Sequence, residues 1–141
     1  MKFWDSSAIV PLILREPRSN NAIGIYQKDS VMIVWWASKV EIVSALARSE
    51  RNGLLQNKPV KEAVDRLSII SAAWHEVQPV EFVREHAIRL LRMHDLKAAD
   101  SLQLAAAIVI SEYRTAQMGF VCFDRRLSEA ARKEGFVVYF E

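Results

Sequence analysis

Four acidic residues lie at or near the points where helices are predicted to begin. Asp5 and Asp124 each end a short apolar segment, and Glu41 lies in the first turn of a helix that follows another such segment. Asp100 lies in the first turn of an alanine-rich helix. In a parallel sheet the strand-to-helix junctions share one edge, which is where open α/β folds bind ligands. We therefore expect these four carboxylates to meet, although they are far apart in the sequence.

A cluster of carboxylates without histidine or cysteine is typical of a Mg²⁺ or Mn²⁺ site, because hard cations prefer oxygen ligands. Several like charges in partly buried positions are also costly unless a cation neutralises them. Such ions, alone or in pairs, activate a water molecule and stabilise the charge on a phosphate during in-line displacement. The acids therefore predict hydrolysis of a phosphodiester, with Asp5, Glu41 and Asp100 as catalytic metal ligands and Asp124 assisting them.

Each acid also has a purely structural interpretation. Asp5 and Asp124 could be N-caps, which satisfy free backbone N–H groups at a helix start. Ser38 and Glu41 have the spacing of a capping box, and Asp100 could complement the helix dipole. Taken singly, these interpretations are the more common ones. The occurrence of four such acids at equivalent places favours a shared site.

Short apolar segments alternate with amphipathic ones along the whole chain, which predicts βαβ units and a mostly parallel sheet. Because helices outweigh strands, we predict a helix-rich α/β fold with one domain over residues 1–141. Asp95 is predicted to cap the helix that begins at Lys97. The predicted strands are Lys2–Trp4, Val31–Trp35, His75–Val77, Phe120–Phe123 and Phe136–Phe140. The predicted helices are Ala8–Leu14, Ser19–Lys28, Ala37–Ser49, Pro59–Ala73, Val80–Met93, Lys97–Ser111 and Arg125–Glu134.

Composition narrows the class of protein. Of the 141 residues, 51% are hydrophobic and 26% are charged, which excludes a disordered chain. The net charge of +2 makes no strong case for nucleic acid or for a membrane surface. A lone cysteine, Cys122, cannot form an internal disulfide, which favours a reducing compartment such as the cytoplasm. Asp5 interrupts the first apolar run, so a signal peptide is not expected, and no segment is long enough to span a membrane.

Four segments of the sequence resemble the PIN domain, and within that family the VapC-type toxin ribonucleases of bacterial or archaeal toxin–antitoxin pairs. They are DSSAIV at Asp5, the helix that bears Glu41, LKAADSLQLAAA around Asp100, and FVCFDRRLSEAARKEGF around Asp124. The segments occur in the family's order and spacing and cover essentially the whole chain. DSSAIV alone is a weak signal. The segments around Asp100 and Asp124 together are specific to the family.

The resemblance implies a three-layer α/β/α sandwich around a parallel sheet and a metal-dependent endoribonuclease activity. It also implies an RNA substrate, a homodimer and a small antitoxin protein that covers the site. By position, the four acids match those that hold the family's metal, and Ser7 matches a small polar residue near it. The sequence departs from the family at Cys122, where many relatives have Thr or Ser. A thiol is a poor substitute for a hydroxyl donor, and a buried, inert cysteine is expected there.

Basic residues near the acids could contact an RNA backbone. Lys97 lies one helical turn before Asp100 and could hold a phosphate, although a solvated surface lysine is the alternative. Several arginines could form a basic rim, or simply the charged faces of amphipathic helices; they are Arg84, Arg89, Arg92, Arg125 and Arg126. The histidines are expected to be structural, because metal-assisted hydrolysis needs no imidazole base.

Two other functions use the same residues. One is a nuclease of the same fold with an RNA-processing or DNA-directed role, which would share every acid. The other is a catalytically inert binding module that has kept the fold. Activity on RNA compared with DNA distinguishes the first from a toxin ribonuclease, and the effect of Asp5→Asn on activity distinguishes the second.

Overall fold

The computed structural model describes residues 1–139 of the chain, in which five strands alternate with seven α-helices and one short 3₁₀-helix, Thr115–Gln117. The strands are β1 (Lys2–Trp4), β2 (Met32–Trp35), β3 (His75–Val77), β4 (Gly119–Val121) and β5 (Val137–Tyr139). The helices are α1 (Ser6–Ile13), α2 (Ser19–Lys28), α3 (Ser38–Arg51), α4 (Asn57–Ser71), α5 (Glu81–Met93), α6 (Ala98–Ile110) and α7 (Arg125–Lys133).

All five strands form one parallel sheet in the order β3-β2-β1-β4-β5. The central strand, β1, pairs with β2 on one side and with β4 on the other. Because all strands run the same way, the carboxyl ends of β1, β2 and β4 lie side by side at one edge. This confirms the predicted α/β class and the parallel sheet.

Alternate side chains of the central strands enter two separate cores. Phe3 stacks on Phe120 with ring centroids 5.4 Å apart, and both pack against α5, α6 and α7. Trp4 and Val34 point to the other face and pack against α1, α2, α3 and α4. Strands buried on both faces are typical of a parallel sheet between two helical layers. The predicted three-layer α/β/α sandwich is therefore confirmed.

The alanines of α6 place this helix close to the sheet. Ala105, Ala106 and Ala107 are fully buried, and a helix with such small side chains can approach the strands closely. The amino-terminal turn of α6, which carries Asp100, consequently lies at the same edge as the ends of the strands. The packing of α6 therefore explains why Asp100 lies near the other acids, although no strand directly precedes it.

The predicted element boundaries differ from the observed ones by at most two residues, and two differences concern the site. The predicted strand Phe120–Phe123 ends at Val121, because the Phe123 N–H donates to the Ser7 hydroxyl at 2.9 Å and not to a strand. The prediction for Asp95 was wrong: Lys97 occupies the N-cap position of α6, while Asp95 is exposed and pairs with Arg126. Part of the predicted last strand, at Phe140, lies outside the described residues.

Among residues 1–139, none of the helices has the length and apolar character needed to cross a membrane.

Candidate active site

Asp5 is the most deeply buried of the four predicted acids. It follows β1 directly, and its backbone N–H donates to the Val121 carbonyl at 2.9 Å, so the end of β4 fixes its position. Its side chain is 4% exposed and caps α1, accepting from the Ser7 N–H at 3.0 Å and the Ser7 hydroxyl at 2.5 Å. The N-cap interpretation is thus correct for Asp5. It does not exclude a second role, because the same carboxylate also faces other acids.

Burial raises the pKa of Asp5 to about 6, against the lowering effect of the Ser7 hydrogen bonds. The negative charges of Glu41 and Asp124 raise this pKa further. Desolvation and like charges both disfavour the ionised form of a carboxyl group. Asp5 is therefore a buried acid whose hydrogen bonds come from Ser7 and whose charged neighbours, Glu41 and Asp124, are negative.

Asp100 shares this environment from the other side. It lies half-buried in the first turn of α6, and burial followed by the charges of Asp5 and Asp124 raises its pKa to about 6. The nearby Lys97 opposes this rise, which places that lysine beside the carboxylate. Asp100 thus lies near Asp5, which follows β1, and near Asp124, which comes after β4.

Glu41 reaches the cluster from α3, and its predicted capping box does not form. Ala37 occupies the N-cap position of α3 with no side-chain hydrogen bond. The Glu41 carboxylate instead accepts from the Ser6 hydroxyl at 2.9 Å and from Gln103 Nε2 at 3.2 Å. Burial raises the pKa of Glu41, the two hydrogen bonds lower it, and the charge of Asp100 raises it again. Glu41 is therefore directed toward α1 and α6 and away from its own helix start.

Asp124 caps α7, where its Oδ1 accepts from the Leu127 N–H at 2.8 Å. Together with Asp100 it lines an open cleft of about 320 Å³, whose other walls are Lys97, Arg125 and Arg126. All three basic residues of this cleft are exposed. A negative floor with a positive rim is suited to a phosphate held beside a bound cation.

The other arginines of the predicted rim have different surroundings. Arg84 pairs with Glu81 on α5, and the pKa of Arg84 is raised by that contact. Arg89 donates to Glu134 at 2.9 Å, and His94 Nε2 lies 2.9 Å from the same carboxyl group. Within residues 1–139 the structure therefore places only Arg125 and Arg126 of that set on the acidic cleft.

Ser7 and Cys122 connect the acids that lie on either side of the β1–β4 junction. The Ser7 hydroxyl binds Asp5 and also accepts from the Phe123 N–H. Cys122 Sγ lies 3.7 Å from Asp5 Oδ2 and accepts from the Asp124 N–H at 3.3 Å. Burial, followed by the Asp5 charge, raises the pKa of the thiol to about 12, so it stays protonated. The cysteine is buried and free, as expected, but it lies within the site.

Two residues at this edge, Ser6 and Gln103, were missed by the sequence analysis. Gln103 is fully buried, and its Nε2 lies within hydrogen-bond distance of the Ser6 hydroxyl at 3.0 Å, the Ser38 hydroxyl at 2.7 Å and the Glu41 carboxylate at 3.2 Å. A signal for it was available, because Gln103 lies three residues after Asp100 and thus near the same helix face. It also interrupts a run of Leu and Ala, where a buried amide is unusual.

The chemistry of these donors fits a hard divalent cation. The acids supply carboxylate oxygens, the serines supply hydroxyls, and the one thiol of the chain is protonated. In the part of the chain that the structure describes, no three His, Cys, Asp or Glu side chains already form a metal cage. The charges of the four acids nevertheless act on one another, and the pKa of three of them is raised. A donor set of carboxylate and hydroxyl oxygens favours Mg²⁺ or Mn²⁺ over zinc.

Comparison with known proteins places the chain in a family. Residues 2–133 match the PIN domain family. "Ribonuclease VapC45" of Mycobacterium tuberculosis is 28% identical over 133 residues, which are 94% of this chain and 90% of that protein. The fold resembles that of VapBC2 from Rickettsia felis, solved with a DNA fragment from its promoter, with a TM-score of 0.65 at 12% identity over 99% of this chain and 98% of the other. It is also similar to FitAcB from Neisseria gonorrhoeae, with a TM-score of 0.65 at 15% identity over 99% and 96% of the two chains.

The family match extends from β1 to the last residue of α7, so it includes all four strand or helix ends that carry the acids. The chain belongs to the PIN domain family.

Proposed function

We propose that this chain is a metal-dependent endoribonuclease, the toxin of a toxin–antitoxin pair, built as one nuclease domain over residues 1–141. The observation that carries the proposal is the convergence of Asp5, Glu41, Asp100 and Asp124 at the carboxyl edge of the sheet, where burial and then neighbouring negative charges raise the pKa values of Asp5, Glu41 and Asp100. The similarity to "Ribonuclease VapC45" over nearly the whole chain supports RNA as the substrate.

In this proposal Asp5, Glu41 and Asp100 hold one or two Mg²⁺ or Mn²⁺ ions, and Asp124 assists them. When bound, the cation supplies Lewis acidity toward the phosphate and lowers the pKa of a water molecule. The carboxylates orient the reacting groups, and the Ser7 hydroxyl locks the Asp5 carboxylate in one rotamer. Burial of Asp5 excludes bulk water, which strengthens every electrostatic interaction at the site.

The basic rim positions the substrate. Lys97, Arg125 and Arg126 stand around the cleft that Asp100 and Asp124 line, so they can contact phosphates on either side of the scissile one. Contacts of this kind provide affinity without reading the base sequence. Cleavage at subsaturating RNA is therefore expected to weaken as the salt concentration rises.

The exposed apolar residues support the proposed homodimer. Trp36, Val40 and Val43 are exposed around a groove of about 600 Å³ on α3. Phe82, Ile88 and Leu91 are exposed on α5. Groups of exposed apolar side chains can mark a protein interface, and a second copy of the chain is the partner that family membership implies. Sedimentation giving twice the 16.1 kDa chain mass supports this, and a monomer contradicts it.

The activity test uses the purified chain with single-stranded RNA, and with DNA of the same sequence, in Mg²⁺, in Mn²⁺ and with excess chelator. We expect endonucleolytic cleavage of RNA that stops when the ion is removed and returns when it is added back. Preferential cleavage of DNA would favour the DNA-directed alternative. Absence of cleavage on any RNA would favour the inert binding module.

The toxin role has its own measurement. Expression of the chain alone in bacteria should arrest growth, and Asp100→Asn should abolish the arrest at equal protein level. Asp65→Asn is the matched control, because Asp65 is an exposed acid on α4. If the chain cleaves RNA in vitro but its expression does not slow growth, the nuclease activity stands and the toxin role is contradicted. A small protein from the same operon that restores growth would be the antitoxin.

A further inference from the structure

We propose that Gln103 is a positioning residue that holds the Glu41 carboxylate in its metal-binding orientation, both directly and through the Ser6 hydroxyl. This inference rests on the proposed function, because it assigns Glu41 to the metal. Gln103 lies on the hydrophobic helix α6, does not line the cleft between Asp100 and Asp124, and makes its hydrogen bonds to Ser6, Ser38 and Glu41. Its effect should therefore pass through Glu41.

The geometry makes Gln103 the link between three elements. Its Nε2 lies within hydrogen-bond distance of Ser6 on α1, Ser38 on α3 and Glu41 on α3, at 3.0, 2.7 and 3.2 Å. The Ser6 hydroxyl in turn donates to Glu41 Oε2 at 2.9 Å, so the same carboxylate oxygen receives both bonds. An ionised carboxylate only accepts hydrogen bonds, so the amide must turn its NH₂ group toward Glu41.

That orientation leaves the other end of the amide without a partner. Gln103 Oε1 is buried and has no hydrogen-bond partner among the described residues, while the whole side chain is fully buried. A buried carbonyl oxygen without a donor destabilises the folded state. The fold thus keeps an amide with one unsatisfied end, while its NH₂ group binds Ser6, Ser38 and Glu41. Departures of this kind are expected where a residue serves a site.

The Glu41 side chain is flexible, so it depends on hydrogen bonds from other helices to stay in place. A glutamate side chain has three rotatable bonds, and Glu41 is held by no hydrogen bond within its own helix start. Without the two donors it could turn toward solvent, away from Asp5 and Asp100. Outer partners that orient a metal ligand typically contribute about ten- to hundred-fold to metal affinity.

The test measures Mn²⁺ binding to the purified full chain by calorimetry, alongside thermal unfolding without metal. Gln103→Met keeps the length of the side chain and removes its hydrogen bonds. We expect Mn²⁺ affinity to fall about ten- to hundred-fold. The unfolding temperature without metal should also fall, because the fully buried Ser38 hydroxyl loses the hydrogen bond from Gln103. A residue with only a structural role would lower the unfolding temperature and leave the affinity unchanged.

A double variant tests whether the effect passes through Glu41. Glu41→Gln alone should weaken Mn²⁺ binding, and adding Gln103→Met to it should weaken binding no further. Ser111→Ala is the matched control, because Ser111 is a buried polar residue at the other end of α6 whose hydroxyl bonds the Ile108 carbonyl. It should change stability and leave Mn²⁺ affinity unaltered.

The outcomes separate this inference from the proposed function. If the wild-type chain binds Mn²⁺ and cleaves RNA while Gln103→Met binds as tightly, the role of Gln103 is overturned and the function stands. If Gln103→Met lowers Mn²⁺ affinity by the same factor in the wild-type chain and in the Glu41→Gln variant, the role of Gln103 is overturned as well. A wild-type chain that does not bind Mn²⁺ overturns both. If Gln103→Met does not fold, Ser6→Ala replaces it, and unchanged Mn²⁺ affinity in that variant overturns the inference.

Discussion

Two aspartates at opposite ends of the central strand have opposite electrostatic environments. Asp29 lies at the amino end of the sheet, where it contacts the Met1 amino group, accepts from Lys2 Nζ at 3.2 Å and accepts from the Val31 N–H at 3.2 Å. The hydrogen bond from the amino terminus lowers the pKa of Asp29 to about 2 against the raising effect of burial, and the hydrogen bond from Lys2 lowers it further. At the carboxyl end, burial and neighbouring acids raise the pKa of Asp5 to about 6.

In the proposed function, the amino edge of the sheet serves stability and the carboxyl edge serves cation binding. Asp29 is partly exposed and is paired with cations that belong to the protein. Asp5 is buried among acids, and its ionised form destabilises the fold. In the proposed function, a cation from solution offsets the cost of keeping ionised carboxylates in this place.

The largest expected effect comes from removing the charge of Asp5. Asp5→Asn should reduce RNA cleavage by at least about a hundred-fold, because loss of a metal ligand exceeds the usual cost of losing an outer partner. It should also raise the free energy of unfolding without metal by about 1–3 kcal/mol at pH 7.5, since Asn still caps α1 and removes a charge held at a raised pKa. Cleavage and thermal unfolding measure the two effects. A variant that is less stable and fully active would contradict this account of Asp5.

The second effect is the pH dependence of stability in the absence of divalent ions. A folded-state pKa above the unfolded value means that the folded protein binds more protons between about pH 4 and 6, so stability falls as pH rises through this window. For Asp5, with a smaller contribution from half-exposed Asp100, we expect a loss of about 1–2 kcal/mol from pH 5 to pH 7. Denaturant unfolding at both pH values measures it.

Asp29 acts in the opposite direction at lower pH. Its lowered pKa contributes stability above about pH 4 that is lost as pH falls toward 2. The Asp5→Asn variant is the control for the higher window, because it should flatten the loss between pH 5 and 7 and leave the acid limb intact. Identical pH profiles for this variant and the wild-type chain would show that Asp5 does not titrate there.

The smallest effect is at Asp29 itself. Asp29→Asn should lower the free energy of unfolding by about 0.5–1 kcal/mol at pH 7, the usual size for a partly exposed ion pair, and leave RNA cleavage unchanged. Calorimetric unfolding and a cleavage assay on the same preparation provide both numbers. Loss of cleavage in this variant would remove the contrast between the two edges of the sheet.

Much of the fold could be predicted because its signals are local. The strand-to-helix transition at Asp5 is visible in KFWDSS, and the Ala-rich segment around Ala106 predicts a helix packed on the sheet. The cap roles of Asp5 and Asp124 followed from their place before a helix, and both are confirmed. Local patterns fail where a distant residue competes for a hydrogen bond. The Ser7 hydroxyl takes the Phe123 N–H and ends β4 early, and nothing near Phe123 in the sequence indicates this.

Only the local features of the candidate site could be predicted from the sequence. The four acids were identified by their equivalent positions at helix starts, and their roles as metal ligands remain predictions. The direction of Glu41 was not foreseeable from the capping-box spacing, because Ser6 and Gln103 offer it hydrogen bonds that exist only after α1, α3 and α6 pack together. The position of Cys122 against Asp5 likewise depends on the neighbouring strands.

The sequence by itself determined the alternation of strands and helices and the presence of an acid at each of four helix starts, since both depend on residues that are neighbours in the chain. Only the tertiary structure decided which acids are buried, which face one another and which polar side chains hold them. Burial and charge proximity depend on distances between segments up to 117 residues apart, as for Asp5 and Cys122. These distances are set by how the two helical layers close over the sheet.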